Sequence, residues 1–410
     1  MTQAAHEQEH LPVWARDDAF PKAPDGWGWA DYKGQLHTCE SAAVLISAIR
    51  DDSEAGVALA WTPGHPHMVL PEEVAGAAEA VLASRKRRAA DDLADALDKL
   101  RWFGWLLGGL SLYMIYQGWT LAPDSVSAGE RLGFALKAMF NSMSMGITLL
   151  MFLIFAFIPW YQSRKRLGEL SRWTDWDIAA VVPTLRFETW LEWQKAPVTR
   201  AILILTGMVG VAQLMPGGDS VQAAGLVKNL YLHEGQWWRL LTAPFLHGHP
   251  LHFLMNAAAL IYLGKRIEVF ARWPHVPLVF LFAACIGGEA SARFVAAPSV
   301  GASGGLMGWL GFLLVFEFLH ANLIPRRASR RLMAGVLLTG LIGLIGYRFI
   351  DNAAHIGGLL AGMLYAAIVF PRSTSPLRPR STITDRIAGS AALAVLAMAA
   401  LAAVVKILGH

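Results

Sequence analysis

Downstream of Trp102 the chain alternates long apolar runs with short polar breaks, whereas residues 1 to about 100 mix the two kinds of residue at close spacing. The runs fall at about 102–121, 135–158, 200–216, 251–270, 276–297, 303–321, 332–347, 353–370 and 386–407. Each is near the ~20 residues that an α-helix needs to cross a bilayer. The pattern predicts nine spans, with ends set to within a few residues. Upstream, GVALAWTPGHPHMVLP predicts two short strands around the turn TPGHP. The following stretch, from Pro71 to Leu100, predicts a helix with acids and bases beside an alanine–leucine stripe. The expectation is an all-α polytopic membrane protein preceded by a small soluble α+β domain.

Composition agrees. Hydrophobic residues make up 55% and charged residues 16% of the 410, against about 25% charged in an ordinary soluble globule. Mean hydropathy is +0.40. The net charge of +4 is mild, and its positive residues cluster in loops, which marks topology rather than nucleic-acid binding. Arg85, Lys86, Arg87 and Arg88 precede the first span; Arg164, Lys165 and Arg166 follow the second; Lys265, Arg266 and Arg272 follow the fourth. Arg326, Arg327, Arg330 and Arg331 follow the sixth, and Arg372, Arg378 and Arg380 the eighth. The alternate loops carry only Arg131, then Lys228 and Arg239, then none, then Arg348. The positive-inside rule therefore predicts a cytoplasmic N-terminal domain and an external His410. Cys39 and Cys285 lie in segments of different polarity, so no disulfide framework is expected. The opening MTQAAHEQEH has no apolar signal core, and no cleaved signal peptide is expected.

With this orientation, spans four, six and eight begin on the outer side. His252 and Asn256 lie near the start of the fourth, Ser303 at the start of the sixth and His355 just inside the eighth. At ~1.5 Å per residue all four fall in about the outer third of the membrane. Polar and ionisable residues there are costly and are functional candidates by default. A lone serine is a common packing residue in membrane helices, and a lone histidine can simply bridge two helices. At matched depth the two suggest nucleophile and base. The free amides of a helix start around Ser303, with Asn256 and His252, would then serve a developing oxyanion. Gly304, Gly305 and Gly308 lie on the same span as Ser303, and Gly357, Gly358, Ala361 and Gly362 on that of His355. Gly358-x-x-x-Gly362 is a small-xxx-small pattern, which lets two backbones approach closely.

Competing readings are weaker. GASGG also fits the nucleophile elbow of α/β-hydrolases, but no strand precedes it and no soluble sheet surrounds it. His247, His249 and His252, or His65 and His67, could be taken for metal ligands, yet no H-E-x-x-H helix accompanies them and both groups lie beside prolines.

At these residues the chain resembles the rhomboid intramembrane serine proteases. The family's Trp-Arg pair in the first outer loop is matched by Trp238 and Arg239 in QWWRLLTAPFLH. Its histidine, second histidine and asparagine are matched by His247, His252 and Asn256 in HGHPLHFLMN. The nucleophile motif is matched by Gly301, Ala302, Ser303 and Gly304, and the base motif by Ala354, His355, Gly358 and Gly362. The resemblance covers about 200–371 and implies a six-helix core with a serine–histidine dyad in a water-filled cavity below the surface. It implies no third acid, so Asp351 is not assigned a catalytic role, and no metal or cofactor. It also implies substrates that are membrane proteins with a helix-destabilised transmembrane segment, cleaved near the outer face. His247 is expected to support the outer loop rather than touch substrate.

The division expected is 1–100 as a soluble cytoplasmic domain, 101–199 as two extra spans and a linker, 200–371 as the protease core and 372–410 as one extra C-terminal span. The expected location is the bacterial inner membrane, with the lipid bilayer and membrane proteins as partners and no nucleic acid. A non-cutting membrane scaffold would lack a dyad residue, and neither is missing. A transporter would show repeats or broken helices at mid-membrane, whereas here the polar cluster sits near one face.

Overall fold

The computed structural model describes residues 10–51, 56–123, 125–215, 218–346 and 350–409. His410, Arg348 and the first nine residues, to which the topology and signal-peptide expectations refer, lie outside these. The chain is mostly helical and forms two compact units. One is built on residues 17–186 with 340–350, the other on residues 187–339 and 351–410 together with those up to Arg16.

In the first unit, strands β1 (Trp27–Ala30), β2 (Leu36–Cys39) and β3 (Leu59–Trp61) make an antiparallel sheet in the order β2-β1-β3. Trp29 pairs with His37 on one side and Ala60 on the other. The β1–β2 turn is held by Asp31, whose carboxylate accepts from the amides of Lys33 (2.8 Å) and Gln35 (2.9 Å). Gly34 supplies the positive φ of +82° that the turn needs. Helix α1 (Ala42–Asp51) follows β2. The apolar core gathers Leu45 and Ile49 of α1, Ala60 of β3, and Val69, Val81 and Ile178.

Two expectations change here. The second strand predicted after TPGHP is only an isolated bridge, Val69 to Ala60, because Pro66 and Pro71 bracket a run too short to ladder. The helix predicted over 71–100 begins at Ala78, after a 3₁₀ turn at Pro71–Glu73, and does not stop. As α2 (Ala78–Thr120) it runs for 43 residues, merging the polar helix with the first apolar run. Nothing between them breaks a helix; the first proline is Pro123.

The second apolar run is broken. Helix α3 (Ala128–Asn141) opens on a capping box between Ser127 and Glu130. Ser142 then ends it and caps α4 (Met143–Phe152). A π-helical turn at Leu153–Phe157 leads into α5 (Ile158–Leu170). Pro159 has no N–H to give, and the wide turn just before it is one way a helix accommodates that loss.

After α6 (Asp175–Trp193) the second unit continues with α7 (Pro197–Gln213), three short helices α8 (Ser220–Ala224), α9 (Lys228–Leu232) and α10 (Arg239–Thr242), and then α11 (Pro250–Phe270) and α12 (His275–Phe294). It ends with α13 (Ser303–Leu319), α14 (Arg326–Ile345), α15 (Asn352–Val369) and α16 (Ile383–Leu408). Helices α12, α13 and α15 pack on one another, and α16 packs on α7 and α12. The contacts are made by missing side chains. A Cβ at Gly358 would strike the Gly304 carbonyl, one at Gly362 the Gly308 carbonyl, and one at Gly308 the Ala283 side chain. Around this crossing Trp309 is fully buried and donates its indole N–H to the Val276 carbonyl at 3.0 Å. Arg266 is fully buried as well, paired with Glu188 at 3.1 Å and lying over the Tyr262 ring.

By length and composition, four described helical stretches can cross a membrane: 144–170, 275–294, 352–369 and 383–408, or five if the bent pair α6–α7 counts as one. Helix α13 is apolar but has 17 residues. The other expected spans also fall on helices.

Candidate active site

Ser303 is the first residue of α13, and the loop before it is tightly constrained. Gly301 sits at φ +122°, a conformation that L-residues rarely adopt. A Cβ there would also meet the His252 ring at 2.6 Å and lie 3.5 Å from the Asn256 amide nitrogen. Position 301 therefore needs glycine for two separate reasons, and the second places His252 and Asn256 of α11 against the loop that delivers Ser303. The Gly301 amide is tied to the Ala243 carbonyl at 3.0 Å.

His247, His252 and Asn256 form one cluster. The Asn256 amide and His247 Nε2 are hydrogen-bonded at 2.9 Å, and the His247 and His252 rings meet edge to face at 5.1 Å. His247 and Asn256 are buried, His252 half-buried. His249 caps α11, its Nδ1 accepting from the Leu251 amide at 3.2 Å, with Pro250 at the first helical position. Among the described residues no group of three or more His, Cys, Asp or Glu residues could hold a metal ion.

His355 lies in the first turn of α15, and its amide donates to the Asp351 carbonyl at 3.1 Å. Asp351 is the N-cap, its side chain accepting from the Ala354 amide at 2.9 Å. Ser303 and Ala354, the neighbour of His355, line the same cavity of about 40 Å³, together with Gly301, Ser299, Ser291 and Asp351. The structure thus brings Ser303 and the first turn of α15 to one cavity, with the His247–His252–Asn256 cluster beside the entering loop.

Trp238 and Arg239 act elsewhere, at the start of α10. Arg239 is buried; its Nη1 donates to the Gly225 carbonyl at 2.6 Å and its Nε to Gln236 Oε1 at 2.8 Å. Its guanidinium lies over the Trp238 ring, whose ring also faces Lys406 of α16 at 5.1 Å. Gly304, Gly358 and Gly362 serve the α13–α15 crossing. Sequence reasoning missed Gln213, which clamps His247 by its backbone: its Oε1 accepts from the His247 amide at 2.8 Å and its Nε2 donates to the His247 carbonyl at 3.1 Å. It also missed Ser291 and Ser299, which line the cavity, and Lys228, which bonds both. Asp before an apolar helical run is a capping signal, so the cap role of Asp351 was legible.

Residues 234–372 match the family model described as Rhomboid domain. The chain is 33% identical over 153 residues to rhomboid protease GluP of Bacillus subtilis, covering 36% of this chain and 29% of that protein. It is 34% identical over 167 residues to the mitochondrial RHOMBOID-like protein 6 of Arabidopsis thaliana, covering 40% of this chain and 53% of that one. It is also 33% identical over 142 residues to inactive rhomboid protein 2 of Homo sapiens, covering 34% of this chain and 16% of that one. The chain spans from 29% to 55% of the length of the first four curated relatives it matches. On the strength of the matched domain and these relatives, the chain carries a rhomboid domain over residues 234–372.

Proposed function

We propose that the protein is an intramembrane serine endopeptidase in which Ser303 is the nucleophile and His355 the general base. The observation that carries this reading is the position of Gly301, pressed against His252 and Asn256 two residues before Ser303. Oxyanion donors must sit around the nucleophile, and here they would. Ser303 Oγ attacks the scissile carbonyl carbon while His355 takes its proton. The carbonyl oxygen becomes an oxyanion and receives hydrogen bonds from the first-turn amides of α13, from His252 and from Asn256. An amide nitrogen carries two hydrogens, so Asn256 can bond His247 with one and the oxyanion with the other. Collapse of the intermediate breaks the C–N bond as His355 returns the proton to the leaving amine. Water then attacks the acyl-serine by the same route.

Substrates are membrane proteins whose spanning helix is loosened by glycine or proline, since an intact helix keeps its carbonyls in i→i−4 bonds. The basic loops support a cytoplasmic position for residues 1–100 and a cut near the outer boundary. A non-cutting role, as the name of the inactive human relative suggests for that protein, would be expected of a chain without the dyad, and both residues are present.

The test is labelling of the purified protein with a fluorophosphonate, together with cleavage of a model membrane substrate and mass-spectrometric mapping of its new termini. Labelling that persists in Ser303→Ala, or cuts concentrated at the cytoplasmic boundary, would overturn the reading.

A further inference from the structure

A second polar cluster adjoins the cavity, three of its members, Ser291, Ser299 and Asp351, lining it, and the chemistry above leaves it unused. Lys228 of α9 is buried, and its ammonium donates to Ser291 Oγ at 2.5 Å and to Ser299 Oγ at 2.8 Å. Both hydroxyls reach Asp351 Oδ2, Ser299 at 2.5 Å. A hydroxyl has one hydrogen and two lone pairs, so each serine can accept from the ammonium and donate to the carboxylate. The result is a chain of charge-assisted bonds, cation to hydroxyls to anion, which are stronger than neutral ones.

The four residues come from four places: α9 in the outer loop, the outer end of α12, the loop before α13, and the cap of α15. Ser299 stands four residues before Ser303, and Asp351 four before His355. The backbone of Ser299 is also bridged to Leu226 in both directions, at 3.0 and 3.1 Å. Asp351 meanwhile holds the first turn of α15 through its other carboxylate oxygen. The cluster therefore grips the segment that ends in the nucleophile and the segment that ends in the base.

We propose that Lys228, Ser291, Ser299 and Asp351 are positioning residues that set Ser303 and His355 in register by locking the loop before α13 to the first turn of α15. This rests on the dyad reading above. None of the four need touch substrate, and Asp351 works as cap and anchor rather than as a third member of the dyad. Holding reacting groups in place is worth much of a catalytic barrier, and misplacement by about 1 Å can cost ~10²-fold in rate.

The experiment uses the full chain in detergent with a model membrane substrate, and turnover is divided by the concentration of serine titrated with fluorophosphonate. A purely structural role would lower the amount of active protein and leave kcat per titrated site unchanged. Asp351→Ala, which loses cap and anchor, is expected to lower kcat per site by about 10²-fold with little change in KM. Asp351→Asn keeps a good N-cap but leaves the ammonium without its anion, and should fall in between. Adding Lys228→Met to Asp351→Asn should recover part of that loss, because removing one partner of a buried pair is worse than removing both. Ser299→Ala deletes one hydroxyl and is the variant least able to disturb folding; a drop of about tenfold in kcat is expected there. Wild-type kcat per site in Ser299→Ala overturns the proposal whatever becomes of the Asp351 variants. If Ser303→Ala is dead while Ser299→Ala and Asp351→Asn turn over normally, the positioning role fails and the dyad stands. If Ser303→Ala still turns over, the dyad itself fails.

Discussion

The sheet core of the first unit and the α13–α15 crossing of the second are packed by opposite means. In the N-terminal unit, large apolar side chains come out of water: Trp61 is fully buried, and Leu45, Ile49 and Val81 close over the sheet. That is hydrophobic burial in the usual sense, proportional to apolar area removed from water. In the second unit, α13 and α15 meet where side chains are absent, glycine backbone against glycine backbone at 304, 308, 358 and 362. Lipid tails are as apolar as leucine, so burial gives little there, and close packing of backbones takes its place. One region tolerates swaps that conserve volume. The other has no room for a Cβ at 308, 358 or 362.

The largest effect should fall on residues that belong to neither kind of packing. Ser303→Ala and His355→Ala should each reduce cleavage by several orders of magnitude, with the double variant little worse, since the pair acts as a unit. Circular dichroism and thermal melting should be unchanged for both. Next comes Gly358→Val, whose side chain has only the Gly304 carbonyl to occupy. It should part the two helices, abolish detectable cleavage and lower the melting temperature. Wild-type melting and turnover in this variant would dissolve the contrast between the units.

How much of this was legible in the sequence follows the same division. The glycine crossing could be read because its information is local: a four-residue spacing on a run of helical period. So could the placement of Ser303, His355, His252 and Asn256 on their helices. The hairpin of β1 and β2 could not, because WGWA and LHTC are four residues each and too short to show alternation. The break at Ser142 was hidden because the apolar run continues past it with no proline or charged residue from Ala138 to Ile158. Lys228, Ser291, Ser299 and Asp351 span more than 120 positions and share no period, so only folding brings them together.

Trp61→Ala tests the other side of the comparison. Emptying this site should cost about 3–5 kcal/mol, read as faster hydrogen exchange at Ala30 and Leu59 in the intact protein. A cost below ~1 kcal/mol would mean that the sheet does not depend on burial. For Asn256→Ala a loss of about 10²–10³ in kcat is expected, because other oxyanion donors remain. Full activity at saturating substrate would remove it from the site.

The smallest effect is one of pH. Burial pushes the Lys228 ammonium down to about 8, with Asp351 opposing that shift. The groups facing it are Asp351 of α15 and the hydroxyls of Ser291 and Ser299; Tyr231, Glu289 and Arg293 form a separate cluster between α9 and α12. Turnover should decline several-fold as pH rises through about 8 and the cation is lost. Stability should respond with the opposite sign. Between about 8 and the ordinary lysine value of 10.5 the unfolded chain binds more protons than the folded one, so this group's contribution rises with pH. A parallel fall of stability and turnover over that window would show that Lys228 is not the group responsible.

The stacking of Lys406 over Trp238 carries a consequence in time. Helix α16 leaves the ribosome after every other part of its unit, yet its far end lies on the loop that Arg239 ties to Gly225. During synthesis that loop must pass through an interval in which Trp238 lacks its Lys406 neighbour. The last buttress arrives only with residue 406, when the helices bearing Ser303 and His355 have long been made. Completion of this loop is thereby deferred until residue 406 has been made, so a growing chain carries Ser303 and His355 before the Lys406 contact on Trp238 exists.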